Sequence, residues 1–206
     1  MARARTFPAA ARELAAREPV IARLLEATGP PDIPPSKRTP FEALCRSITF
    51  QQLSGKAAGT IYGRFETALG GVPTPDAVLA APIEVLRTAG LSAAKATSIT
   101  DLAEKVLDGT VPLDVVSKLD DDELVRRLVI VRGIGRWTAE MFLIFQLRRL
   151  DVWPVDDLGV RKGYGMAWGG PMPAPKALAE LGEPFRPYRS VAAWYCWRAT
   201  EMTGVL

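Results

Sequence analysis

Two helical patterns joined by a turn that only glycine makes easily constrain this chain more than any other feature. In LVRRLVIVRGIGRWTAEMFLIFQL, Leu124 to Leu147, apolar residues recur at helical spacing on both sides of Gly133 and Gly135. Glycine tolerates positive φ in such a turn, and without a Cβ it lets backbone N–H groups approach a phosphate at the start of the next helix. Ile134, between the two, is expected to point inward and fix the hairpin. A lone G-x-G would signal no more than a capped helix end. Here Arg132 and Arg136 flank it, so cations and a helix N-terminus converge on one point. Arg132, Gly133, Ile134, Gly135 and Arg136 are therefore the candidate phosphate contact, one that positions DNA without reading its sequence.

The rest of the chain reads as helices too. Residues 9–27 carry helical periodicity, broken by GPPDIPPSKRTP. Phe41, Leu44 and Ile48, then Ile61, Phe65 and Leu69, mark two further helices with Ser54 as a cap between them. Pro75 and Pro82 suit first-turn positions, and a helical stripe runs from Leu91 to Leu107 after Gly90 and Ser92. Asp120 to Glu123 enrich the first turn of a helix running towards Val129. Residues 137–150 read as a long buried helix, and later helices are expected over 157–167, 174–181 and 187–201. No strand pair is legible, so the expectation is an all-α protein of roughly ten helices.

Composition narrows the chemistry. The 206 residues, 48% apolar, suffice for one substantial core or two small lobes sharing a cleft. No histidine occurs, which removes Ser-His-Asp and Cys-His catalysis and leaves acid-base work to Asp, Glu, Lys or Tyr. Cys45 and Cys196 have neither zinc nor iron–sulfur spacing and read as core thiols. Net charge is +3, which permits a polyanionic partner without demanding one. The start lacks the apolar block of a signal peptide and no stretch suits a membrane span, so an intracellular, cytoplasmic protein is expected, with no membrane and no obligate protein partner.

The hairpin segment resembles that of the helix-hairpin-helix DNA glycosylases. FEALCRSITFQQLSGKAAGTIYGRF, Phe41 to Phe65, is similar to the early Gln-Gln helix of the 3-methyladenine DNA glycosylase II branch. LRTAGLSAAKATSITDLAEKV, Leu86 to Val106, and FRPYRSVAAWYCW, Phe185 to Trp197, resemble its next block and its C-terminal helix. The similarity runs in order from about residue 12 to 201, in the short form without an N-terminal β domain. It implies two helical lobes flanking a DNA- and base-binding cleft, one mainly from about 41–150, the other from the N-terminal segment plus about 151–206. It also implies a monofunctional enzyme removing alkylated bases such as 3-methyladenine and 7-methylguanine from double-stranded DNA, without a cofactor.

Site residues follow from the same match. DVWPVDDLGVRKGYG, Asp151 to Gly165, opens a helix with an Asp pair, for which N-capping is one explanation. The resemblance makes Asp157 the catalytic carboxylate and Asp156 its structural neighbour or cap. Cleavage of the glycosidic bond builds positive charge on the sugar, which a carboxylate stabilises, and an alkylated, cationic base leaves without a second acid. Trp137, Met141 and Trp197 fall at the base pocket, although composition alone would place the tryptophans in a core. Trp153, Trp168, Trp194 and Tyr195 read as packing. Gln52, with Gln51, matches the wedge that fills the gap left by the flipped nucleotide, the alternative being a solvent-facing helix end. A monovalent cation held by turn carbonyls is also compatible with the resemblance, while no metal of catalytic type is implied. The lyase relatives place a Schiff-base Lys directly after the G-hydrophobe-G-basic turn, where this chain has Trp137. The rival readings are a bifunctional glycosylase/lyase and a non-catalytic helix-hairpin-helix DNA-binding module.

Overall fold

Seven of the twelve described α-helices open at a Ser, Thr or Asp whose side chain accepts an N–H from the third residue of the helix. A computed structural model describes residues 6–202. Thr6 caps α1 (Phe7–Ala15), and Glu18 caps α2 (Pro19–Thr28), which opens with proline. Thr39 caps α3 (Pro40–Phe50), Ser54 caps α4 (Gly55–Ala68) and Thr74 caps α5 (Pro75–Ala80). Next come α6 (Ile83–Thr88), then α7 (Ala93–Leu107) capped by Ser92 and α8 (Asp121–Leu128) capped by Asp120. The remaining helices are α9 (Arg136–Met141), α10 (Leu158–Trp168), α11 (Pro175–Leu181) and α12 (Arg189–Glu201). Twelve α-helices and no strand occur among the described residues, as an all-α fold requires.

Three local expectations fail, each for a physical reason. Residues 9–27 are not one helix: the chain breaks at Ala16–Glu18, because Pro19 cannot donate within a helix and starts a new one. Pro75 does sit in a first turn, but Pro82 is the N-cap of α6. The long buried helix over 137–150 does not form. After α9 the backbone widens into a π-helical turn, Phe142–Gln146, which shifts the side-chain register so that the apolar run no longer faces one core. Phe145 is 44% exposed as a result, and Trp137, in the first turn of α9, is 48% exposed.

Two compact units divide the chain. One is Ser36–Phe142, holding α3 to α9 around buried Leu44, Ile48, Phe65, Ile99, Leu102 and Leu128. The other takes the chain up to Pro35 and from Leu143 onward, with α1, α2 and α10 to α12 around Phe7, Leu14, Ile21, Val160, Phe185 and Tyr195. In this second unit Trp153 is buried and donates from Nε1 to the Leu178 carbonyl at 2.7 Å, and Trp168 stacks on Tyr164. Both serve packing.

α10 crosses α12 with almost no clearance, and a Cβ on Gly163 would overlap the backbone carbonyl of Cys196. Gly163→Ala should therefore destabilise the protein by about 3 kcal/mol, the upper end of overpacking penalties, because backbone cannot yield as a side chain does. Gly63, exposed in α4, has open space around it, so Gly63→Ala should stabilise by about 0.5–1 kcal/mol. Thermal melts of the two variants check both signs.

Candidate active site

In the Ser36–Phe142 unit, the turn between α8 and α9 is held on three sides. Gly133 adopts φ +78°, and a Cβ there would come within 2.6 Å of Ser98 Oγ. Asp101 Oδ2 accepts the Arg132 N–H at 2.7 Å, and the Gln51 side-chain amide donates to the Gly133 carbonyl at 2.9 Å. Burial works against the Asp101 charge, but bonds from Lys105 and the Arg132 N–H outweigh it and hold the carboxyl below its usual range. Ile134 is buried, as expected, and anchors the turn. The Ile134 N–H goes to the Val131 carbonyl, whereas the N–H groups of Gly133 and Gly135 find no acceptor among the described residues. Arg132 is exposed, and Arg136, also exposed, pairs with Glu140 at 2.9 Å.

Four expected residues meet in one cavity of about 490 Å³ in this unit: Gln51, Gln52, Trp137 and Met141 line it with Arg46 and Phe50. Gln52 is exposed at φ 57°, a conformation uncommon outside glycine. The Arg46 guanidinium lies over the Phe50 ring, 3.7 Å from its centroid. Lys95 donates to the carbonyls of Thr49 and Gln51, both at 2.8 Å, so that amine is tied to the end of α3.

In the other unit, Asp157 is 9% exposed and forms the N-cap of α10. Its Oδ1 accepts the Val160 N–H at 2.8 Å and the Trp197 Nε1–H at 2.9 Å. The resemblance made Asp156 the structural neighbour or cap. Asp156 is exposed, and Asp157 itself is the cap, because the register that lets Asp157 reach Val160 leaves its neighbour outside the first turn. The cap and the bond to the Trp197 indole thus fall on one side chain.

Sequence reasoning missed two residues beside it. Phe145 stacks on Trp197 at 5.7 Å and 27°, and a Cβ on Gly159 would come within 2.8 Å of Trp197 and 3.1 Å of Asp157 Oδ1. Phe145 was hidden in an apolar run whose periodicity the π turn disrupts; Gly159 carries no signal until its distant neighbour Trp197 is known. Cys45 and Cys196 are free, buried thiols, and burial pushes both well above their ordinary range, the Asp157 charge adding to the effect at Cys196.

No cluster of three His, Cys, Asp or Glu suited to a metal occurs among the described residues, and no helix there is long and apolar enough to cross a membrane. A monovalent cation would have to take backbone carbonyls of the hairpin, of which that of Gly133 already receives the Gln51 amide.

Comparison with known proteins agrees with this architecture. The model of a family described as HhH-GPD superfamily base excision DNA repair protein matches residues 45–187. The chain is 39% identical to DNA-3-methyladenine glycosylase 1 of Schizosaccharomyces pombe, across 81% of this chain and 75% of that protein. It is similar to the solved structure of a Schizosaccharomyces pombe 3-methyladenine DNA glycosylase in complex with abasic DNA, with 36% identity and a TM-score of 0.79, covering 94% and 97% of the two chains. A Bacillus halodurans DNA-3-methyladenine glycosidase superposes with a TM-score of 0.86 at 34% identity, covering 94% and 89%. This chain belongs to the HhH-GPD superfamily of base excision DNA repair proteins.

The two hairpin glycines should separate in a thermal melt. Gly133→Ala strains a positive φ and meets Ser98, so it should cost more than about 1 kcal/mol. Gly135 is extended at φ −87° with open space where a Cβ would go, so Gly135→Val should lose only glycine's advantage at the N-cap of α9 and cost less than about 1 kcal/mol.

Proposed function

We propose that this chain hydrolyses the N-glycosidic bond of alkylated bases in double-stranded DNA, 3-methyladenine and 7-methylguanine foremost, leaving an abasic site in an intact strand. The observation that carries the reading is Asp157: a buried carboxylate bonded to the Trp197 indole, at the position the family resemblance assigns to catalysis. As the base departs, the sugar gains positive charge, and a fixed carboxylate beside C1′ stabilises it without reorganising solvent. Trp197, its plane fixed by the Asp157 bond and the Phe145 stack, offers an electron-rich face to a cationic base. Within the Ser36–Phe142 unit, Trp137 and Met141 line a cavity of their own and are assigned to base contact, with Gln52, and Gln51 beside it in sequence, as the wedge.

The hairpin carries the phosphate contact, through the unpaired N–H groups of Gly133 and Gly135, the Arg132 and Arg136 side chains, and Ile134 as the internal anchor. A DNA substrate places this activity with the chromosome, inside the cell. Water is the nucleophile. Trp137 stands where a lyase would need lysine, and Lys95 is engaged by two backbone carbonyls.

Asp157→Asn is the informative variant, because asparagine caps helices about as well as aspartate and so spares α10. Base release should fall at least about a hundredfold while DNA binding holds or tightens slightly. Asp156→Asn should keep full activity. In a denaturing gel, strand breaks should appear only after alkali or heat, with no borohydride-trapped adduct. An inactive Asp156→Asn beside an active Asp157→Asn, or an efficient lysine-dependent adduct, would contradict this reading.

A further inference from the structure

α3 ends at Phe50, and the chain turns through Gln51, Gln52 and Leu53 before Ser54 caps α4. The last carbonyls of a helix have no partner within it. Lys95, in the first turn of α7, supplies one: its ammonium bonds the Thr49 and Gln51 carbonyls, both at 2.8 Å. A cation at a helix C-terminus is ordinary support. What distinguishes this one is that Gln51 lies beyond the helix, and that its side chain continues the chain of bonds to the Gly133 carbonyl at 2.9 Å. Lys95, Gln51 and the hairpin turn therefore form one hydrogen-bonded clamp. The next residue is Gln52, exposed and held at φ 57°.

We infer that Lys95 is a positioning residue for base flipping: it locks the Gln51–Gln52 loop onto the hairpin, so that Gln52 is presented in its left-handed conformation when the hairpin takes hold of DNA. The inference rests on the proposed glycosylase reading, with Gln52 as the wedge. Without the ammonium, two carbonyls at the helix end turn to water, and the loop keeps only the long 3.4 Å bond from the Leu53 N–H to the Phe50 carbonyl and the Gln51 amide bond to hold Gln52 in its left-handed conformation. Burial lowers the Lys95 pKa, as expected of an amine whose charge is met by neutral carbonyl dipoles instead of by a carboxylate.

The test uses the full chain with Lys95→Met, Lys95→Arg and Gln52→Ala. Lys95→Met should bind undamaged duplex within about twofold of the parent, since the hairpin turn keeps its Asp101 and Ser98 supports. It should lose most of the fluorescence rise of 2-aminopurine placed beside the lesion, and at least tenfold of the single-turnover rate at saturating enzyme. Gln52→Ala should share that phenotype, and Lys95→Arg, which keeps charge and donors, should recover most of both signals. Hydrogen exchange at residues 51–54 should accelerate at least tenfold in Lys95→Met, a readout independent of catalysis. That readout separates failure of the clamp from failure of the glycosylase reading, which would show as no base release by the parent. The inference is overturned if Lys95→Met retains parental flipping, rate and loop exchange, or if its losses track weaker duplex binding or a melting transition near the assay temperature.

Discussion

A single carboxylate oxygen, Asp157 Oδ1, receives the Val160 N–H at 2.8 Å and the Trp197 indole N–H at 2.9 Å. Removing a carboxylate from water costs several kcal/mol, and a helix cap returns about 1 kcal/mol. Stability alone is thus a weak reason for this aspartate to sit 9% exposed. Its neighbourhood is arranged around it. Gly159 lacks the Cβ that would crowd both the indole and the carboxylate, and Phe145 stacks on the indole. The start of α10 and the orientation of Trp197 therefore depend on the same atom, so the geometry of the proposed catalytic carboxylate is held by the forces that build the helix.

The hairpin shows a similar economy with a different division of labour. Gly133 answers to the protein, through its positive φ and the Ser98 hydroxyl beneath it. Gly135 answers to nothing within the chain, and its missing Cβ makes sense as room for something that approaches the backbone closely. Asp101 and Gln51 hold the turn by its N–H and carbonyl, while the N–H groups of the two glycines have no acceptor among the described residues.

Much of this was legible in sequence because it depends on local rules. Ser54, Ser92 and the acidic run from Asp120 announce their helices through capping chemistry, and Gly133 and Gly135 announce a turn through backbone freedom. The failures arise where a residue's role depends on distant partners. Nothing near Phe145 signals the π turn that exposes it, and nothing in VDD separates the cap from its neighbour until the Val160 N–H and Trp197 are placed. No local signal marks Lys95, since the carbonyls it serves lie 44 and 46 residues away. Periodicity reports which face of a helix is apolar, but not which apolar side chains a register shift turns outward.

Excision of alkylated bases is read from chromatography of what the protein releases from duplex DNA carrying one defined lesion at a time. Free 3-methyladenine and 7-methylguanine should accumulate at the expense of the lesion while the strand stays intact. If the protein binds the same duplexes yet releases no base from any of them, the hairpin serves a DNA-binding module and the account of Asp157 is wrong.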